Sequence, residues 1–244
     1  VRASPTGHPT RQSGTPRIDH VILGARSIAP LRDLLWEEYG FGVTDGSPNP
    51  DGTASWVVPF DSADVQYLEL LVPGDERQLA ATDFGRLFLD RTAAGPVFLN
   101  WAVLVEDIAA AADRVQRLTG QDPEMLRGES VRADGQRVPW AEAAFAASWA
   151  TPSHPFFLEY GNWAARRARV AGDIAAAGHR CRPVSIDRLA VRTARNDLDS
   201  WLGVPEPPVT VVHGTGEAII AATVRTDAGP VELRVPGGPG DGTP

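Results

Sequence analysis

The sequence predicts an α+β fold, and three observations carry that reading. Short apolar strand segments alternate with single helices of amphipathic spacing. A unit of one strand, one helix and two further strands recurs three times within the 244 residues. The first unit opens on Ile18-Asp19-His20-Val21-Ile22-Leu23 and closes on Tyr67-Leu68-Glu69-Leu70-Leu71, apolar runs that each hold polar residues at set places.

Residues 1–16 are polar and rich in Pro, Gly, Ser and Thr, without the apolar stretch of a signal peptide, so a disordered tail is expected there. The first module spans 17–75. Arg17–Leu23 reads as a buried strand. Ile28–Tyr39 reads as a helix with Ile28, Leu31, Leu34 and Leu35 on one face, Pro30 in its first turn, and Gly40 and Gly42 to end it. Ala54–Phe60 and Val65–Val72 are strands joined by Asp61-Ser62-Ala63-Asp64, and Gly42–Thr44 is open to one more strand. Residues 76–96 connect, with a helix over Ala80–Arg91.

The second module spans 97–162. It begins with the strand Phe98–Val105, followed by a helix, Ile108–Leu118, capped by Asp107 and stopped by Gly120. Ser130-Val131-Arg132 and Val138–Ala147 form a hairpin about Asp134-Gly135, and His154–Tyr160 closes the unit as a strand. Residues 163–183 are a linker with an Ala- and Arg-rich helix. A third, shorter module over 184–236 holds the strand Ser185–Thr193, the helix Asp197–Leu202 stopped by Gly203 and Pro205, and the strands Val209–Val212, Glu217–Val224 and Val231–Val235. Residues 237–244 are expected to be a disordered tail.

Composition narrows the function. The formal charge of -8, from 23 basic and 31 acidic residues, gives no electrostatic footprint for nucleic acid or an anionic membrane. Every basic residue is arginine, which removes lysine Schiff bases and P-loops. The longest apolar run is too short to span a bilayer. Cys181 is the sole cysteine, so no internal disulfide forms and a cytoplasmic setting is expected. Cys181 has no paired base in sequence, and no GxSxG, HExxH or Rossmann pattern is present.

Aligned on their helix caps, the modules pair one polar residue from the first strand with one from the last: His20 with Glu69, Asn100 with Glu159, Arg188 with Glu232. With Ile18–Ile28 followed by a strand ending in Tyr67–Leu71, with Asp134-Gly135, Trp140 and Pro155–Glu159, the chain resembles the glyoxalase/bleomycin-resistance/extradiol-dioxygenase group, the vicinal oxygen chelate superfamily. It is similar in particular to the glyoxalase-like domain proteins of bacteria. The resemblance covers roughly residues 17–236.

The resemblance implies tandem βαβββ modules whose curled, mixed sheets surround a cleft, with metal ligands drawn from the first and last strands of each module. It places His20, Glu69 and Glu159 on ligand positions, and Asn100 where the family usually has His or Gln. Imidazole and carboxylate donors suit divalent Zn, Mn, Fe, Co or Ni, and such a set leaves open positions for a diol, hydroxy-ketone or hemithioacetal. Glu159, Glu69 or His154 would move the proton. Thr53, Ser55, Trp101, Trp140 and Arg188 are candidate pocket residues. Ordinary readings stand beside these. Arg188 with Glu232 is an ion pair in place of a metal site, His154 a turn residue, and Thr53 and Ser55 plain strand polarity. The tryptophans are core, and His179 and His213 are surface residues.

Two functions are carried forward. One is a metal-dependent lyase, isomerase or dioxygenase acting on a small substrate with vicinal oxygens. The other is a metal-free protein that sequesters a small aromatic or hydrophobic molecule, as resistance proteins of this superfamily do. Sites in the superfamily are built within one chain or across a homodimer.

Overall fold

The structure, a computed structural model, describes residues 16–131, 135–204 and 207–236. Both expected tails apart from Pro16, with His8, and the turn residue Asp134, Arg132 and Pro205 lie outside the described residues. Eight strands form one sheet in the order β2-β3-β4-β1-β5-β8-β7-β6. Its first half comes from β1 (Arg17–Gly24), β2 (Ser47–Pro48), β3 (Thr53–Pro59) and β4 (Tyr67–Pro73), with α1 (Ile28–Tyr39) between β1 and β2. Its second half comes from β5 (Val97–Leu104), β6 (Leu126–Val131), β7 (Arg137–Ala143) and β8 (Phe156–Tyr160), with α4 (Ile108–Thr119) after β5. The helices α2 (Glu76–Ala80) and α3 (Asp83–Arg91) join the halves.

The two halves repeat one plan. β1 lies parallel to β4, and β5 parallel to β8. β1 and β5 meet antiparallel at the centre, with Val21 opposite Trp101. The sheet therefore has a local two-fold axis near that pair, which makes Asn100 the counterpart of His20. Each half carries its helix on one face: Leu31 and Leu35 of α1, and Ile108, Ala111, Ala112 and Val115 of α4, join a common core with Val21, Leu68, Trp101 and Phe157. Gly40 and Gly120 end those helices in the left-handed region. Gly42 is fixed by a close approach instead: a Cβ there would sit 1.8 Å from the Ala177 carbonyl oxygen.

The same core takes in a second, four-stranded sheet, β10-β9-β11-β12. Its strands are β9 (Pro183–Thr193), β10 (Val209–His213), β11 (Ala218–Thr226) and β12 (Gly229–Leu233), with α8 (Leu198–Leu202) after β9. This is the third, shorter module. Its order differs from that of the first two, because β10 rather than the last strand lies parallel to β9 and β11 takes the other side. The linker holds α6 (Trp163–Ala168) and α7 (Val170–Ala177). Within the second module α5 (Phe145–Ala150) replaces the end of the strand expected over Val138–Ala147. Among the described residues no helix is long and apolar enough to cross a membrane.

Candidate functional site

The eight-stranded sheet leaves a cavity of about 920 Å³ on the face opposite α1 and α4. Strand alternation decides what enters it, since every second side chain faces the same way. His20 of β1, Tyr67 and Glu69 of β4, Glu142 of β7 and Tyr160 of β8 bring polar groups to the lining. Ile22, Leu71, Phe156 and Leu158 come from the same strands, and Phe84, Leu87, Phe145 and Trp149 come from α3 and α5.

His20 is the pivot of the polar side. It is buried, and its ring stacks on Tyr67 with centroids 4.6 Å apart. Its Nδ1 lies 2.9 Å from Asp19 Oδ1. Neighbouring residues of a regular strand face opposite ways, so this contact needs an irregularity. The register between β1 and β5 shifts between Ile18 and His20, which makes Asp19 the extra residue of a bulge. Asp19 also accepts from Arg166 of α6, whose NH2 lies 2.6 Å from Oδ2, and that guanidinium sits 3.6 Å over the Tyr160 ring. Burial alone would raise the Asp19 pKa, but the Arg166 charge and His20 outweigh it and lower it. An ionised Asp19 only accepts hydrogen bonds, so His20 Nδ1 carries a proton, and the ring nitrogen left to offer a lone pair to a ligand is Nε2. That Nε2 is buried without a hydrogen-bond partner and lies 3.6 Å from Glu69 Oε2.

The carboxylates beside it are perturbed upward. Burial raises the Glu69 pKa, against the attraction of His20. Burial likewise raises that of Glu142 to about 7, with His20 pulling it down and Glu69 pushing it up. Burial pushes the Tyr67 and Tyr160 phenols upward as well, so both stay neutral donors. For Glu142 the sign is definite. A folded-state pKa above the unfolded one means that stability is lost as pH rises from the unfolded toward the folded value. Glu142→Gln is therefore expected to be neutral near pH 5 and stabilising near pH 8, as read by urea unfolding at the two pH values.

The other expected site residues fall in different places. Glu159 shares the Phe157 side of β8, away from the cavity, and its Oε2 accepts from the Ile108 amide at 2.9 Å, capping α4. The sheet register gives the reason. Ala102, the counterpart of Ile22, pairs with Phe156, as Ile22 pairs with Glu69, so Phe156 and not Glu159 stands where Glu69 stands. Glu159→Gln is expected to cost about 0.5–1 kcal/mol of stability and to leave the cavity's ligand binding unchanged, by denaturation and titration of one preparation. Asn100 is buried and donates to Ser148 Oγ of α5 at 2.9 Å, so the sheet does not bring it to the lining. Thr53 and Trp140 do line the cavity, whereas Ser55 bonds Asn49 beside it and Trp101 is buried in the core on the far face.

Arg188 is exposed on the small sheet and bonds the Val209 carbonyl, while Glu232 pairs with Arg234 at 2.6 Å, so the expected pairing of Arg188 with Glu232 is replaced. His154 is buried outside the cavity. Its Nε2 lies 2.9 Å from Asp197 and its Nδ1 2.9 Å from Ser153, which donates to Glu217 of the small sheet. That network ties β8 to the third module. Burial lowers the His154 pKa despite Asp197, whose own pKa falls to about 2, first through its bond from Arg195. His179 is partly buried and accepts from the Gly42 amide at 3.0 Å, whereas His213 is exposed as expected.

Sequence reasoning missed Glu142, Asp19, Arg166, Tyr67 and Tyr160. Glu142 did leave a signal: it is a lone carboxylate in Trp140-Ala141-Glu142-Ala143-Ala144, the same pattern as Glu69 in its strand. Arg166 left none, because an arginine of an Ala- and Arg-rich helix reads as solvated. Among the described residues, no three His, Cys, Asp or Glu side chains are arranged to hold a metal ion.

The chain matches the family described as the glyoxalase-like domain over residues 18–203. A hypothetical protein from Staphylococcus aureus shares the fold, with a TM-score of 0.60 at 12% identity over 86% of this chain and 91% of that one. A methylmalonyl-CoA epimerase from Streptomyces coelicolor is similar at 21% identity and a TM-score of 0.40, over 60% of this chain and 97% of that one. Its counterpart from Mycobacterium tuberculosis gives 17% and 0.38, over 64% and 97%. No curated protein matches the chain significantly. With both halves of the eight-stranded sheet inside the matched span, the chain belongs to the glyoxalase-like domain family.

Proposed function

We propose that the cavity is the active site of a divalent-metal-dependent enzyme of the lyase, isomerase or dioxygenase type, acting on a small molecule with vicinal oxygens. One observation carries this reading: a buried histidine of the cavity lining leaves its Nε2 without a hydrogen-bond partner, 3.6 Å from Glu69 Oε2, while a carboxylate fixes its other nitrogen. Carboxylate-held imidazoles of this kind are the usual support of a metal ligand. The donors fit the ion in kind. His20 and Glu69 would hold it, and Glu142 is the third candidate because its carboxylate responds to both. A bound ion would supply Lewis-acid polarisation of the substrate oxygens.

The chain's own groups do the rest. Asp19 keeps the His20 tautomer, and Arg166 keeps Asp19 ionised. Where His20 and Glu69 alone hold the ion, Glu142, with its pKa raised to about 7 by burial, is suited to exchange a proton near neutral pH, the role first given to Glu159, Glu69 or His154. The Tyr67 and Tyr160 hydroxyls can donate to an oxygen on which charge develops. Phe84, Phe145, Trp149 and Phe156 keep water from one side of the reacting group.

A second reading is favoured by the lack of a preformed three-donor group among the described residues: a metal-free protein that sequesters an apolar molecule. Elemental analysis of the protein as purified separates the two. The enzyme reading expects about one ion per chain, lost in His20→Ala and in Glu69→Ala. No metal, with both variants folded and ligand binding retained, would leave sequestration as the function.

A further inference from the structure

The lining also bears on the charge of what the cavity takes. Its apolar side is aromatic. Phe145 stands edge-on to Phe156 with centroids 5.1 Å apart and stacks on Trp149 at 5.5 Å, while Phe84 closes on Trp149 at 4.6 Å. Its polar side is acidic. Glu69 and Glu142 lie with His20, and Asp51, Asp83 and Glu124 add three further carboxylates to the lining.

No arginine is among the described residues that line the cavity, and the sequence has no lysine. Three arginines that adjoin the lining already have partners, Arg86 with a carboxylate of the lining itself. Arg166 is bound to Asp19 at 2.6 Å, Arg91 donates to the Trp149 carbonyl at 2.7 Å, and Arg86 pairs with Asp83.

We infer, resting on the metal-free reading of this cavity as a ligand site, that its ligand has an aromatic or otherwise apolar body and no negative charge, being neutral or amine-bearing. A carboxylate or phosphate entering here would give up hydration and meet acidic side chains, with no arginine among the described lining residues to replace the lost water. An ammonium group would gain Glu69 and Glu142. A neutral molecule gains the aromatic side and keeps its oxygens for the His20 end. The volume of about 920 Å³ accommodates a body of several rings.

Three probes with one bicyclic body test this by calorimetry on the chelator-treated, metal-free protein: naphthylmethylamine, naphthylmethanol and naphthoate. The amine is expected to bind at least about tenfold more tightly than naphthoate, with the alcohol between them, and added salt should narrow the gap. Glu142→Gln should narrow it too. Naphthoate binding as tightly as the amine would overturn the inference about charge and leave the cavity standing as a ligand site. Binding by none of the three would overturn both.

Discussion

Replacing Arg166 with methionine is expected to destabilise the protein by about 3–5 kcal/mol, because it strands a buried carboxylate. The Asp19 side chain is fully inaccessible and the Arg166 side chain is 4% exposed, so water cannot take over the pairing. Methionine keeps an apolar stem near Tyr160, which confines the loss largely to the charge. In a chain of this size the change corresponds to a melting temperature lower by about 10 °C. Adding Asp19→Asn to Arg166→Met should restore much of the loss, since a neutral amide needs no guanidinium, and the double-mutant cycle measures the coupling. The pH dependence follows the same sign. Asp19 has a lowered folded-state pKa, so its pairing stabilises above the unfolded carboxylate value and is lost as pH falls through the folded one. The gap between wild type and Arg166→Met should therefore shrink on acidification. A loss below about 1 kcal/mol at neutral pH would mean that Asp19 is not held as an ion by Arg166.

Asp19→Asn is expected to weaken divalent-metal binding by about 10–100-fold, and His20→Ala by more. The asparagine can present its amide nitrogen to His20 Nδ1, which would turn the ring's proton to Nε2 and remove the lone pair from the cavity. The effect is thus one of tautomer as well as of charge. Calorimetric titration with Mn²⁺ or Co²⁺, beside urea unfolding to confirm that each variant is folded, checks it. Equal affinity in wild type, Asp19→Asn and His20→Ala would place any metal site elsewhere.

The architecture was legible because it is written twice. The cap residues Asp107 and Gly120, the helix Ile28–Tyr39 and the apolar strands follow local rules that act within a few residues, and the structure keeps them nearly to the residue. His20 and Glu69 were legible for the same reason, each standing out in an apolar strand. The second half of the site was not. Matching Glu159 to Glu69 through flanking sequence misjudges the register by three positions, because α5 and the approach to β8 have no counterpart of the same length in the first module. A strand shifted by an odd number of residues turns every side chain to the other face, and that carries Glu159 from the cavity to the cap of α4. The bulge at Asp19 and the reach of Arg166 from α6 were closed to sequence reading as well. The bulge arises from pairing with β5, and the Arg166 contact spans 147 positions of sequence.

We propose His20, Glu69 and Glu142 as one cation-binding end of the cavity. Anomalous diffraction from a crystal soaked in cobalt tests this assignment. The expected result is a peak at a ligand distance of about 2.0–2.2 Å from His20 Nε2, with Glu69 and Glu142 oxygens turned toward it. A peak at Glu159 or at His154, or a cavity that stays empty while cobalt binds elsewhere, would contradict it.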